Sequence, residues 1–268
     1  AMRRHLLWTA TLTLFTLGVP GLKVVNLGKA AQGQELRILP QRVVLDSPEA
    51  SQQLLVTLVT PPRATTDLTR QANYKIRNTN IASVDDRGQI HPRSEGTTEL
   101  HVQVRDELRV IPVEVRHLKQ PTPVSFREEI LPILTKAGCN SGGCHGKAEG
   151  QNGFKLSVFG FDPTADHTAL IKESRGRRVT LTAPAQSLLL LKSSAQMPHG
   201  GGQRIHQDSL WYQRLTRWIS EGATLDQPGH RPVEKIVVQP ANLVLQPLAS
   251  QQLQVSAVDA AGNHFCVT

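Results

Sequence analysis

Two thiols and an imidazole stand together in Cys139-Asn140-Ser141-Gly142-Gly143-Cys144-His145. A pair of cysteines followed at once by a histidine is what covalent attachment of a c-type haem requires. Each thiolate adds to one vinyl group, and the adjacent imidazole is then held against the iron as its proximal ligand. The usual spacing puts two residues between the cysteines; here four intervene, and two of them are glycines that let a longer loop bulge outward. A six-coordinate iron needs a second ligand from the far side. Met197 and His199 are the candidates, in Gln196-Met197-Pro198-His199-Gly200-Gly201-Gly202. A thioether raises the reduction potential, whereas a second imidazole predicts a lower one. The same residues leave other chemistries open. Cys139 and Cys144 can close a disulfide, or join His145 and His199 or His206 around zinc. Thiol–disulfide exchange fits less well, because the spacing lacks the C-x-x-C geometry.

Around this motif the chain is rich in large flat side chains. Phe126, Phe154, Phe159, Phe161, Trp211 and Trp218 all fall within about a hundred residues, as core packing or as walls for a porphyrin. Arg177 and Arg178, in the densest basic cluster, read as a solvated loop or as partners for haem propionates. His167, His206 and His230 read as solvated. No nucleophile–base pair or carboxylate dyad is evident, and Gly200-Gly201-Gly202 lacks the lysine of a nucleotide loop. The segment is therefore expected to carry electrons and to catalyse nothing.

Two helices should bracket these residues. Ser125-x-x-Glu128 reads as a capping box opening a helix with Phe126, Ile130 and Leu134 on one face. Asp208 reads as the cap of a second helix, with Trp211, Leu215 and Trp218 on one face and Gly222 past its end. Leu188 to Leu191 suggests a further short helix.

The stretch from about Pro123 to Ala223 resembles the planctomycete-type cytochrome c domain. The matching residues are Phe126-x-x-x-Ile130-x-Pro132-Ile133-Leu134, Cys139-x4-Cys144-His145-Gly146, Gly153-Phe154-x-Leu156-Ser157, Pro184-x-x-Ser187-Leu188-Leu189-Leu190, Met197-Pro198 and Trp218-Ile219-x-x-Gly222-Ala223. The resemblance implies a mostly α-helical, class I-like cytochrome c domain over 125–223. It implies haem c as cofactor, an iron held by His145 and by Met197 or alternatively His199, and single-electron transfer to an unnamed redox partner. It also implies a large exported protein with immunoglobulin-like domains on either side.

Those flanks read as strands. Between residues 36 and 115 apolar positions alternate at Leu54, Val56 and Leu58, then at Leu100, Val102 and Val104. Turn signals fall at Pro61-Pro62, Asp86-Arg87-Gly88 and Ser94-Glu95-Gly96. This is the pattern of a β-sandwich. Its opening recurs near the C-terminus: Ile38-x-Pro40 matches Val238-x-Pro240, and Ser51-Gln52-Gln53-Leu54 matches Ser250-Gln251-Gln252-Leu253 after a one-residue slip. In that register Asp67 aligns with Cys266, read as a free thiol. Both copies resemble bacterial immunoglobulin-like domains of group 2. The expected organisation is multidomain: an all-β immunoglobulin-like sandwich at 35–117, a linker at 118–124, the cytochrome-like domain at 125–223, a linker at 224–232, and at 233–268 the start of a truncated second β-sandwich. Half a sandwich cannot bury its face, so the natural chain is expected to continue past Thr268.

Charge narrows the functional classes. The 268 residues carry a net +8, but Arg3, Arg4, Lys23 and Lys29 lie within residues 1–33, which hold no acid, so the remainder is only +4. No run of five like charges occurs, which argues against a nucleic-acid partner. Residues 1–33 have a basic start, an uncharged stretch from Leu6 to Leu22 and small residues near Gly33, the plan of a secretory signal or an uncleaved anchor. The expected location is periplasmic or cell-surface, with protein partners there.

Overall fold

A computed structural model describes residues 33–60, 64–226, 232–245 and 247–268. The expected signal segment, the Pro61-Pro62 turn, the Gln227-Pro228-Gly229 linker and His230 fall outside the described residues, apart from Gly33.

The N-terminal unit contains ten strands: β1 Glu35–Leu39, β2 Val43–Leu45, β3 Gln52–Gln53, β4 Leu55–Thr60, β5 Ala64–Asp67, β6 Asn73–Ile76, β7 Ala82–Val84, β8 Gln89–Pro92, β9 Gly96–Val104 and β10 Glu107–Val115. They form sheets of order β1-β4-β5, β2-β10-β9-β6 and β3-β8-β7. β2 runs parallel to β10, and the other pairings are antiparallel. Alternation carries the packing: along β9, Thr98, Leu100, Val102 and Val104 are buried while their neighbours face outward. Leu100, Val102 and Val104 meet Leu36, Ile38 and Val56 from the β1-β4-β5 sheet in one apolar core.

The middle region has a separate core, built around Phe126, Ile130, Leu134, Leu170, Leu215 and Trp218. Its helices are short: α1 Leu131–Lys136, α2 Pro163–Ile171, α3 Leu188–Ser193 and α4 Leu210–Ser220. Here the structure corrects the sequence reading. A mostly α-helical, class I-like cytochrome c domain is not what forms; strand occupies 29% and helix 21% of the described residues. The two bracketing helices are present, but the chain between them is dominated by turns. Pro163 and Pro184 restrict helices to starting there, and Gly138, Gly160 and Gly176 adopt positive φ where helical turns end. The caps differ too. Ser125 accepts from the Glu128 N–H, but the carboxylate reaching back to the Ser125 N–H is that of Glu129, because the first turn winds as a π-turn. Ser209, not Asp208, caps α4 by accepting from the Tyr212 N–H.

The C-terminal stretch forms β11 Val233–Gln239, β12 Gln254–Asp259 and β13 His264–Cys266, in the order β11-β12-β13. This repeats the order β1-β4-β5, and both Pro40 and Pro240 follow cis peptides. The glutamine pairs repeat in detail. Gln52 and Gln53 donate side-chain N–H groups to the Gln53 and Leu54 carbonyls, as Gln251 and Gln252 do to those of Gln252 and Leu253. The two repeats also exchange equivalent contacts. The Gln252 N–H donates to Asp67 Oδ2 at 2.6 Å, and the Gln53 N–H donates to Cys266 Sγ at 3.3 Å. One face differs: Leu36, Leu45 and Leu54 are buried in the first copy, whereas Ile236, Leu245 and Leu253 are exposed in the second.

An ion-pair cluster joins the N-terminal unit to the middle region. Glu49, with its side chain only 4% exposed, accepts from Arg217 Nε at 2.9 Å and from Arg217 Nη2 at 2.9 Å. Arg214 donates to the Glu49 backbone carbonyl at 3.1 Å. Arg217 also binds Glu221 and the Thr122 carbonyl, so one guanidinium ties sandwich, connecting segment and α4 together.

Candidate haem-binding site

The cysteine loop leaves α1 at Gly138, whose positive φ turns the chain. The Cys139 N–H still reaches back to the Leu134 carbonyl, anchoring the first thiol to the helix end. The His145 N–H donates to the Cys139 carbonyl at 3.0 Å, and the Gly146 N–H donates to that of Ser141 at 3.0 Å. The loop therefore closes on itself, and the four intervening residues do not carry His145 away from Cys139. Gly142 and Gly143 bulge into open space, while Asn140 turns inward and is fully buried. Its Nδ2 donates to Thr135 Oγ1; its Oδ1 is the one buried side-chain polar atom without a partner among the described residues. Gly146 is required by the close approach: a Cβ there would lie 2.2 Å from the Asn140 carbonyl oxygen.

Cys139 and Cys144 are both free thiols and partly exposed. Burial pushes the Cys139 thiol up to about 11, with Cys144 acting in the same direction and Arg204 opposing.

His145 is fixed from two sides. Its carbonyl accepts from the Leu156 N–H, and its Nδ1 lies 3.0 Å from the Phe154 carbonyl. The Phe154 ring packs on the imidazole with centroids 4.4 Å apart. Because a carbonyl only accepts, Nδ1 must carry the proton, and Nε2 keeps its lone pair. Burial holds His145 below the ordinary histidine range; the Phe154 contact opposes this, and His199 and Arg178 reinforce it.

His199 repeats the arrangement. It opens a turn closed by the Gly202 N–H on its own carbonyl, and its Nδ1 lies 2.8 Å from the Gly202 carbonyl. A Cβ on Gly201 would come within 2.9 Å of the His199 ring, so this glycine gives the imidazole its space. The loop is tied to the end of α3 by the Arg204 and Ile205 N–H groups, both donating to the Ser193 carbonyl. The two imidazole planes are parallel within 9° and their centroids lie 6.4 Å apart.

The remaining expected residues are placed as follows. Met197 is 39% exposed and its N–H donates to the Leu191 carbonyl; the ring parallel to His145 is that of His199. Arg178 is 4% exposed and spends its donors on the Ala169, Glu173 and Gly153 carbonyls and on Ser174 Oγ, over the Phe154 ring. Arg177 follows the Glu173–Gly176 turn and is exposed. Of the aromatic run, Leu156 is buried and Phe154 is half-buried against His145. Phe159 and Phe161 face outward at 67% and 91%, so they are not core. Phe159 sits at φ 53° in the Val158–Gly160 turn, which throws both rings to the surface. Trp211 is a rim residue, while Leu215 and Trp218 are buried. His167 is not solvated. Its Nε2 meets the Ala223 carbonyl at 2.8 Å, and it packs edge-on against Phe126 and Trp218. The Phe154 carbonyl and the Glu49 cluster have no sequence signature: one is a backbone atom, the other pairs residues on opposite sides of a domain boundary.

Among the described residues, no three His, Cys, Asp or Glu side chains converge as a bare-metal site, and no helix is long and apolar enough to cross a membrane.

No family description and no curated protein matches the chain. Among solved structures, domains 4 and 5 of the S-layer protein SbsC match at 17% identity and a TM-score of 0.26, over 31% of this chain and 51% of that one. Domains 5–6 of the same protein match at 18% identity and a TM-score of 0.26, over 31% and 43%. The chain thus spans about half or less of these two structures.

Proposed function

We propose that the 139–145 loop and the 199–202 turn hold a covalently attached haem, and that the protein carries single electrons as an exported protein in the periplasm or at the cell surface. Cys139 and Cys144 would supply the thioethers, with His145 and His199 the two axial imidazoles. The observation that carries this reading is the histidine pair: parallel rings, each with Nδ1 engaged by a carbonyl and Nε2 left with its lone pair. Nε2 of His145 and Nε2 of His199 would be the nitrogens that hold the iron. Two protein ligands are few for a bare ion but suffice where a porphyrin supplies the other four, so the residues fit the group.

Haem iron contributes a reversible one-electron couple, whose potential is set by its axial ligands and its burial. The chain's part is to fix the two imidazole tautomers, to present both sulfurs from a closed loop and to keep His145 neutral. Its redox partner is a protein met after export.

Expression of the full chain with a c-type maturation system, followed by haem staining of a denaturing gel, tests the proposal. Covalent haem survives denaturation, so the band should stain and the C139A/C144A double variant should not. An unstained wild-type band whose two thiols are joined, or which holds zinc, would assign the region to a spacer in a surface or adhesion protein. His199→Ala should convert the low-spin spectrum to high-spin and raise the potential; Met197→Ala should change neither. The opposite pattern would make Met197 the axial ligand.

A further inference from the structure

We infer that Arg178 is a positioning residue for His145: through Gly153 and Phe154 it holds the carbonyl that selects the imidazole tautomer and the ring that sets its plane. The inference deepens the proposed reading of His145 as an axial ligand and rests on it.

The geometry forms a chain of three contacts. The Arg178 guanidinium lies 4.4 Å from the centroid of the Phe154 ring, a cation over a π face. Its Nη2 donates to the Gly153 carbonyl at 2.9 Å, so the same group grips the backbone one residue before Phe154. The Phe154 ring in turn packs on His145 at a tilt of 49°, and the Phe154 carbonyl accepts from His145 Nδ1. Arg178 is itself immobile. Nη1 donates to the Ala169 carbonyl at 2.7 Å in α2 and to that of Glu173 at 3.2 Å, and Nη2 also meets Ser174 Oγ at 3.1 Å. The guanidinium fork thus joins the last turns of α2, the 173–174 turn and the 153–154 turn.

The 150–154 segment needs such a brace. Gly150 and Gly153 take positive φ, as does Asn152, and the only ladder contacts within the segment are those between Gln151 and Phe154. A charged group this buried is expensive unless it is paired or fully hydrogen-bonded. Here four contacts tie one guanidinium to three carbonyls and a hydroxyl. A lysine carries the same charge but, as a single point donor, cannot span the three segments.

The test compares Arg178→Lys, Arg178→Ala and Phe154→Leu in the full chain. Nitrogen-15 NMR of the histidine rings, recorded on haem-free protein, reads the His145 tautomer directly. The wild type should show His145 fixed with the proton on Nδ1, and all three variants should move towards an averaged tautomer while His167 stays unchanged. In haem-loaded protein, Arg178→Ala should also lower the reduction potential, because a cation near the iron is lost. Arg178→Lys should retain most of the potential yet lose the tautomer. An unaltered His145 signal in both arginine variants would overturn the inference, as would unfolding of both while Phe154→Leu leaves the tautomer fixed. If the wild type takes up no haem, the proposed function fails, and the tautomer measurement still decides the role of Arg178.

Discussion

The Cys139 thiol is largely withdrawn from solvent at the end of α1, and this should be visible in its reactivity. A thiol whose ionisation is raised to about 11 is protonated at neutral pH, and only the thiolate reacts. Alkylation of Cys139 in haem-free protein should therefore be slow near neutrality and gain about tenfold per pH unit until it levels near its raised pKa. Mass-spectrometric mapping of iodoacetamide adducts against pH measures this; levelling off below about pH 9 would mean the burial is not as described. At this scale the sequence showed which atoms could react. Cys139, Cys144, His145, Met197 and His199 were all visible as types and spacings. That the His199 ring lies parallel to the His145 ring was not, because the 199–202 turn that sets it closes only in the folded chain.

Elements fix those atoms through their ends and turns, not through their lengths. The N-cap of α4 is a case where adjacent polar residues compete: Ser209→Ala should cost about 1 kcal/mol in chemical denaturation, and Asp208→Ala almost nothing. The sequence points to Asp208 instead, because cap identity depends on which residue takes the extended φ/ψ before the first turn. Gly146 is the sharper test. Gly146→Ala forces a methyl against the Asn140 carbonyl and should destabilise the middle region by about 2 kcal/mol or more, lowering haem incorporation with it. Gly142→Ala, which meets open space, should be close to neutral. A haem yield that falls equally in both would show that the loop closes some other way. The helical reading of the whole 125–223 region failed at this scale. The apolar spacing of Phe126, Ile130 and Leu134, and of Leu215 and Trp218, was a sound local signal, but it described only the two ends.

Across the whole molecule, Glu49 is the hinge between the sandwich and the middle region. Glu49→Ala leaves the Arg217 and Arg214 guanidinium groups facing a half-buried gap and should cost about 3 kcal/mol. A double-mutant cycle with Arg217→Ala in urea should return a coupling energy well above that of an exposed ion pair, which is under about 1 kcal/mol. Additive single effects would mean that the two units are held by other contacts. The reciprocal bonds from Gln252 to Asp67 and from Gln53 to Cys266 belong to the same scale. They show duplicated segments packing through the same positions, a relation implicit in the sequence alignment but unreadable as contact.

The sequence by itself determined the local features of this protein: alternating strands in the first copy, the duplicated Ser-Gln-Gln-Leu segment, two bracketing helices, and a thiol–imidazole motif with two candidate partners downstream. Each is set by periodicity or by residue type within a few positions, where propensity and side-chain chemistry act without reference to the rest of the chain. Only the tertiary structure decided that His199 lies parallel to His145, that Arg178 braces Phe154, that Phe159 and Phe161 face outward, and that Glu49 meets Arg217. Those pairings join residues separated by turns with positive φ or by an entire domain, and their free energy comes from burial and desolvation that exist only once the chain has closed on itself.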